Sequence, residues 1–244
     1  MKRVGRLILK IMKKNVLFCL IVVLAMLASP ATFSQSSFSL NLGPAFPLSD
    51  FGDDDYFEDD DAGGASIGAD LGLHYRYQFS DMGFGFTAGL DIMYNGLKGD
   101  IKDDIEDELD NYYEDYDISY MKYLNFPLMF GLDYRYEASD NFSVFGGVAI
   151  GPDFLKMTNE KLEYEDYYGE NMEEVISYKM SPGFAVKFGG GVLINKKLII
   201  GVDYWSLGSH EIEGEYEIDG DSEDFEYDDE LKISMLTLTL GIEF

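Results

Sequence analysis

Apolar residues recur at every second position in eight separate stretches of the chain, and a period of two commits each stretch to a β-strand with one oily face. The clearest stretch alternates Ile67, Ala69, Leu71, Leu73, Tyr75, Tyr77 and Phe79 with Gly68, Asp70, Gly72, His74, Arg76 and Gln78. The other seven cover 38–46, 84–94, 120–136, 142–154, 184–194, 198–204 and 236–244. No stretch beyond residue 35 reaches the length of apolar sequence a helical membrane span needs. The connections alternate as well: 80–82, 137–140 and 195–197 are tight turns, whereas about 49–65, 95–119, 156–179 and 210–231 are long. An even number of amphipathic strands joined by short turns on one side and long loops on the other predicts an eight-stranded antiparallel up-and-down transmembrane β-barrel. Both termini then lie on the short-turn, periplasmic side. Closure is needed because an open strand edge in lipid leaves backbone groups unsatisfied.

The charge is sorted in the same way. Of 46 acidic residues, 37 fall in the four long connections, beside five lysines, and the expected lipid faces hold none. The loops therefore read as an acidic corona, and a net charge of −28 without a basic stripe excludes nucleic acid as a partner. Aromatics sort by height, with Phe38, Tyr77, Phe79, Phe84, Tyr134, Tyr136, Phe142 and Phe244 at one rim. Phe46, Tyr94, Tyr120, Phe154 and Tyr204 gather at the other, as the interfacial girdles of a barrel do.

The first 35 residues have the layout of a secretory signal. Lys2, Arg3, Arg6, Lys10, Lys13 and Lys14 precede the apolar run 16–27, which is followed by the small and polar residues 28–35. The expected division is a cleavable signal peptide over 1–35 and an outer-membrane barrel domain over 36–244, with Met1 and Met12 both open as the start. Removal of the leader leaves 12 basic and 46 acidic residues, a formal charge of −34. It also removes Cys19, the one cysteine, and with it any disulfide or thiolate metal site.

Three segments resemble the PorT-like outer-membrane β-barrel family: Asn41-Leu42-Gly43-Pro44-Ala45-Phe46-Pro47, Tyr123-Leu124-Asn125-Phe126-Pro127-Leu128, and the C-terminal strand ending in Phe244. The resemblance covers essentially the whole chain after the leader. It implies a small outer-membrane barrel, inserted by the barrel-assembly machinery, which reads the terminal aromatic Phe244. One member of that family is implicated in protein secretion, so the resemblance informs place and fold more than activity.

The inward phase of the strands carries Asp70, His74, Arg76, Asp91, Asp133, Arg135, Asp153, Lys187, Asp203 and Glu243. Eight strands enclose a space just wide enough for side chains to fill. These residues therefore read first as a plug of mutually satisfied ion pairs, and second as a narrow water or ion path. The bulky inward Tyr123, Met129, Phe145 and Trp205 argue for the plug. His210 reads as an outer-rim residue near Ser206 and Ser209, too isolated to make a catalytic triad, and no enzyme activity or cofactor is expected. Asp53, Asp54 and Asp55, with Asp219 and Asp221, offer hard oxygen ligands to divalent cations, although none follows the EF-hand spacing. Lys122 and Lys232 fall on the lipid-facing phase near the outer rim, where a lysine meets lipopolysaccharide phosphate or simply snorkels. Two roles compete: a barrel that displays acidic loops for structural or interaction purposes, and a transport or secretion component.

Overall fold

In the computed structural model, which describes residues 36–54, 62–165, 169–218 and 221–244, the alternating stretches become one closed wall. The strands are β1 (Ser36–Leu48), β2 (Gly68–Gln78), β3 (Phe84–Gly96), β4 (Tyr116–Ser119), β5 (Lys122–Asn125), β6 (Leu128–Ser139) and β7 (Phe142–Met157). They continue with β8 (Glu160–Glu165), β9 (Asn171–Tyr178), β10 (Ser181–Ile194), β11 (Leu198–Ile218) and β12 (Asp221–Glu243). An α-helix, α1, covers Gly99–Leu109, and a single 3₁₀ turn covers Ser49–Gly52. The segment 1–35 and the candidate ligands Asp55 and Asp219 lie outside the described residues.

The ring runs β1, β2, β3, β5 with β6, β7, β10, β11, β12 and back to β1, antiparallel throughout its recorded registers. β5 and β6 count as one wall strand, because both keep the same register with β3 on either side of Pro127, which has no N–H to give the ladder. The seam is closed by β1 and β12, paired from Ser39–Glu243 to Leu48–Ser234. The terminal residue completes it: the Phe244 N–H donates to the Phe38 carbonyl at 2.8 Å and the Phe38 N–H donates back at 3.0 Å.

Alternation then decides what faces where. Leu42, Phe130, Phe188 and Leu240 stand on the outside, each more than half exposed, with Leu71, Phe86, Ile150, Ile200 and Ile242 around them. Trp205, Met235 and Met93, one position out of phase, are fully buried inside. An apolar band of this extent on an exterior is not sustained in water and requires an apolar surrounding phase. Strands supply the crossing, since no helix among the described residues is long and apolar enough to span a membrane.

The long connections are largely folded. β11 has 21 residues and β12 has 23, so each is about 70 Å long at roughly 3.3 Å per residue, whereas a tilted span needs about 9–11 residues. The excess continues past the barrel and carries the same sheet on as an antiparallel outer extension, the outer sheet, in the order β12, β11, β9, β8, β4. The sequence explains this in retrospect. Glu211, Glu213, Glu215 and Glu217 alternate with Ile212, Gly214, Tyr216 and Ile218, a period of two hidden by its acidic half.

Candidate functional site

The lumen has two layers. Towards the short-turn end it is ionic. Arg76 Nε donates to Asp133 Oδ2 at 2.5 Å, while its Nη2 donates to the Gly83 carbonyl at 2.8 Å. Arg135 grips Glu243 with two parallel bonds of 2.8 and 2.7 Å, the bidentate geometry a guanidinium favours. Lys187 Nζ lies 3.4 Å from Asp203 Oδ2, which also accepts the Thr239 hydroxyl at 3.1 Å. His74 Nε2 donates to Asp91 at 2.8 Å, and its other ring nitrogen accepts Asn41 Nδ2 at 2.9 Å, so a neutral imidazole satisfies both neighbours.

Small residues make this layer possible. A Cβ on Gly189 would fall 1.6 Å from Asp203 Oδ1. Gly83, at φ +94° in the β2–β3 turn, leaves room for the Arg135 carbonyl, 2.0 Å from where its Cβ would be. The charged side chains surround a cavity of about 140 Å³. Asp70 is buried beside this layer, with one carboxylate oxygen lacking a hydrogen-bond partner among the described residues.

The other layer is apolar. Trp205, Tyr123, Phe51, Met93, Met235, Leu155, Leu207 and Ile233 are all essentially inaccessible. Phe51 comes from the 3₁₀ turn after β1 and meets Tyr123 edge-on, ring centroids 5.0 Å apart; the Tyr123 hydroxyl donates to the Gly63 carbonyl at 2.5 Å. Phe51 and Gly63, from the two described ends of the first long connection, thus pack into the barrel mouth. Trp205 joins the two layers: its indole N–H donates to Thr237 at 3.1 Å, and its ring carries the Lys187 ammonium at 4.2 Å.

His210 lies within this apolar layer and not at the rim. The β11–β12 ladder slips between Ser206 and Gly208, and Gly208 has φ +92°. Two residues of β11 there face one of β12, a bulge that shifts the inward phase by one. Leu207 keeps the inward phase of Trp205, and beyond the bulge His210 points inward and Ser209 outward. His210 and Asp153 are both wholly buried, Nε2 to Oδ2 3.3 Å, while Nδ1 donates to the Ser181 carbonyl at 3.2 Å. At 3.3 Å the contact makes no hydrogen bond: His210 Nε2 and both Asp153 carboxylate oxygens lack a hydrogen-bond partner among the described residues, so two polar side chains lie against each other in an apolar surround. Neither Ser206 nor Ser209 hydrogen-bonds this histidine in the structure, and the alternation gave no signal for the glycine bulge.

At the far end, the outer sheet concentrates carboxylates around tyrosines. Tyr164 and Tyr216 donate to the two oxygens of Glu174, each at 2.8 Å, and Tyr113 packs on Tyr164 at 4.2 Å. The bond to Glu174 and burial hold the Tyr164 hydroxyl above the ordinary tyrosine range, and burial together with Glu174 pushes Tyr216 up to about 12. Burial likewise raises Glu160, although the Tyr178 hydroxyl donates to it at 3.0 Å. Of the candidate cation ligands, Asp53, Asp54 and Asp221 lie among the described residues. Asp54 is paired with Lys98, Asp53 follows the 3₁₀ turn, and Asp221 opens β12. Among the described residues no group of three or more histidines or carboxylates is placed to hold a metal.

The profile of the outer membrane protein beta-barrel domain family matches residues 32–210, from the start of β1 into β11. The chain belongs to that family. Its place is the bacterial outer membrane, whose lipid is the apolar phase the exterior band requires. Among solved structures, this outer-membrane barrel is similar to the attachment invasion locus protein Ail of Yersinia pestis, at 14% identity and TM-score 0.39, covering 86% of this chain and 98% of that one. OprG of Pseudomonas aeruginosa gives 14% and 0.41, over 86% and 96%. A major outer membrane protein of Thermus thermophilus gives 12% and 0.49, over 86% and 98%. No curated protein matches the sequence.

Proposed function

We propose that this outer-membrane barrel is a closed, non-catalytic anchor that holds an acidic recognition sheet at the cell surface. One observation carries the reading: the strands that seal the lumen with Trp205, Leu207 and Met235 are the ones that continue, as β11 and β12, into the acidic sheet. A conducting barrel needs an open axis, and this one closes its outer half with packed apolar side chains above the cavity of the ionic layer. The rigid wall fixes the direction of a sheet that would otherwise be a pair of flexible acidic loops.

Within the family we assign the chain to the PorT-like barrels, on the segments around Asn41–Pro47 and Tyr123–Leu128 and on Phe244 as the assembly signal. Residues 1–35 serve as the export signal in this reading. Lys122 and Lys232, both exposed, Lys232 with its ammonium 3.9 Å from Asp50, face lipopolysaccharide phosphates, and the acidic sheet is screened by divalent cations without forming a fixed site.

Two measurements test the proposal together. Purified protein in planar bilayers gives no discrete conductance steps. In a Cys19→Ser background, a thiol at Asp221→Cys reacts with a membrane-impermeant maleimide on intact cells, whereas one at Asp81→Cys in the short turn reacts after the outer membrane is permeabilised. Steady single-channel currents, or the opposite labelling pattern, would remove the reading.

A further inference from the structure

Most of the outer sheet's carboxylates are solvated and specify nothing. One place differs. Beneath α1 lies a groove of about 250 Å³ whose walls are apolar: Ile105 and Leu109 from the helix, Ile118 from β4, Leu162 from β8 and Ile176 from β9. The helix explains the wall it provides. Ile101, Ile105 and Leu109 recur at four-residue spacing, one stripe of an otherwise acidic helix, and Ile101 alone of the three is fully buried. The stripe therefore runs from a packed end to an unfilled one.

The rim of the groove is anionic on both sides. On the helix side Glu106 of α1 accepts the hydroxyl of Tyr120, which lines the groove, at 2.7 Å, and Asp110 at the helix C-cap accepts that of Tyr116 at 3.0 Å. Glu160 and Glu174 stand on the sheet. Lys161 also lines the groove but is paired with Glu163 and Glu173, and Lys102 lies over the Tyr120 ring at 5.3 Å. An apolar slot inside a ring of carboxylates rejects an anionic guest and gains little from a neutral one, but favours an apolar side chain flanked by positive charge.

We propose that this groove binds a cationic amphipathic peptide, with bulky apolar side chains in the slot beneath α1 and flanking lysine or arginine on the rim carboxylates. The inference rests on surface display of the outer sheet and adds the chemistry of the partner and its seat. Steering by the surrounding negative field speeds encounter and makes it salt-dependent, whereas the slot supplies discrimination among cations.

The test uses the full chain in lipid nanodiscs and two probes, a synthetic leucine–lysine amphipathic peptide and an oligolysine of the same length and charge, followed by fluorescence anisotropy. Burial of even one leucine side chain predicts that the amphipathic probe binds about tenfold tighter or better. Leu162→Trp fills the slot from the sheet side, and Ile105→Asn with Leu109→Asn makes it polar from the helix side. Either variant should bring the amphipathic probe down to the affinity of oligolysine while oligolysine binding stays as it was and the far-UV circular dichroism matches that of the unaltered protein. Equal affinity of the two probes for the unaltered protein, or an undiminished preference in both variants, overturns the proposal. In those outcomes the surface reading still stands; it falls separately, if the thiol at position 221 is not reached from outside the cell.

Discussion

The two layers of the lumen are built by the same strands and solve the same problem in opposite ways. Towards the short turns, the inward positions pair charges across the barrel and keep glycines opposite them, as at Gly189 beneath Asp203. Towards the outer sheet, the inward positions carry large apolar side chains and the first connection folds in to cap them with Phe51. An ionic layer depends on each partner being present, because removing one leaves the other stranded in a low-dielectric interior. An apolar layer depends on volume, because each deleted group leaves a void. His210 and Asp153 are the instructive exception, two polar side chains in contact within the apolar layer.

The sharpest way to break the comparison is to remove one member of a buried pair. Arg135→Met strands Glu243 and should cost about 3–5 kcal/mol in unfolding from detergent micelles, and His210→Leu, which leaves the Asp153 carboxyl against an apolar side chain, about 1–3 kcal/mol. Adding Glu243→Met or Asp153→Leu should restore most of the loss in either layer. A pair that behaves additively instead would show that its members act independently. Next in size is Met235→Ala, which opens a void in the apolar layer and should cost roughly 2–5 kcal/mol, with no rescue by neutralising a neighbour.

The outer sheet gives a smaller, pH-dependent effect. The Tyr216 hydroxyl ionises at about 12 when folded and at the ordinary value near 10 when unfolded. The folded state then binds the proton more tightly. Its contribution is whole below about pH 10 and is lost as pH rises towards about 12. Tyrosinate absorbance should therefore lag in the folded protein, and Tyr216→Phe should remove part of the lag. The smallest effect is expected from Lys122→Ala with Lys232→Ala at the rim, about 0–1 kcal/mol in melting, with reduced lipopolysaccharide co-purification.

The wall was legible because alternation is a direct record of which face meets lipid. Leu71, Leu73, Leu238 and Leu240 needed only counting by twos. The inward phase of Arg76, Asp133, Arg135 and Asp203 followed from the same count. Their partners did not, since pairs such as Arg135 with Glu243 join residues 108 positions apart whose proximity is set by closure. His210 escaped because one bulge at Gly208 resets the count, and a glycine in a strand does not announce its φ. The outer sheet was hidden by its own acids. A strand such as Glu211–Ile218 that alternates glutamate with partly buried residues resembles a solvated loop to any reading keyed on hydrophobicity.

The central claim is that the oily face of each wall strand looks out at lipid. A cysteine scan of 236–242 in β12, in a Cys19→Ser background, with a fluorophore at each position and a lipid-borne quencher in nanodiscs, tests it most directly. Positions 236, 238, 240 and 242 should be quenched strongly, and 237, 239 and 241 weakly. Quenching with the opposite phase, or with no period of two, would contradict the account.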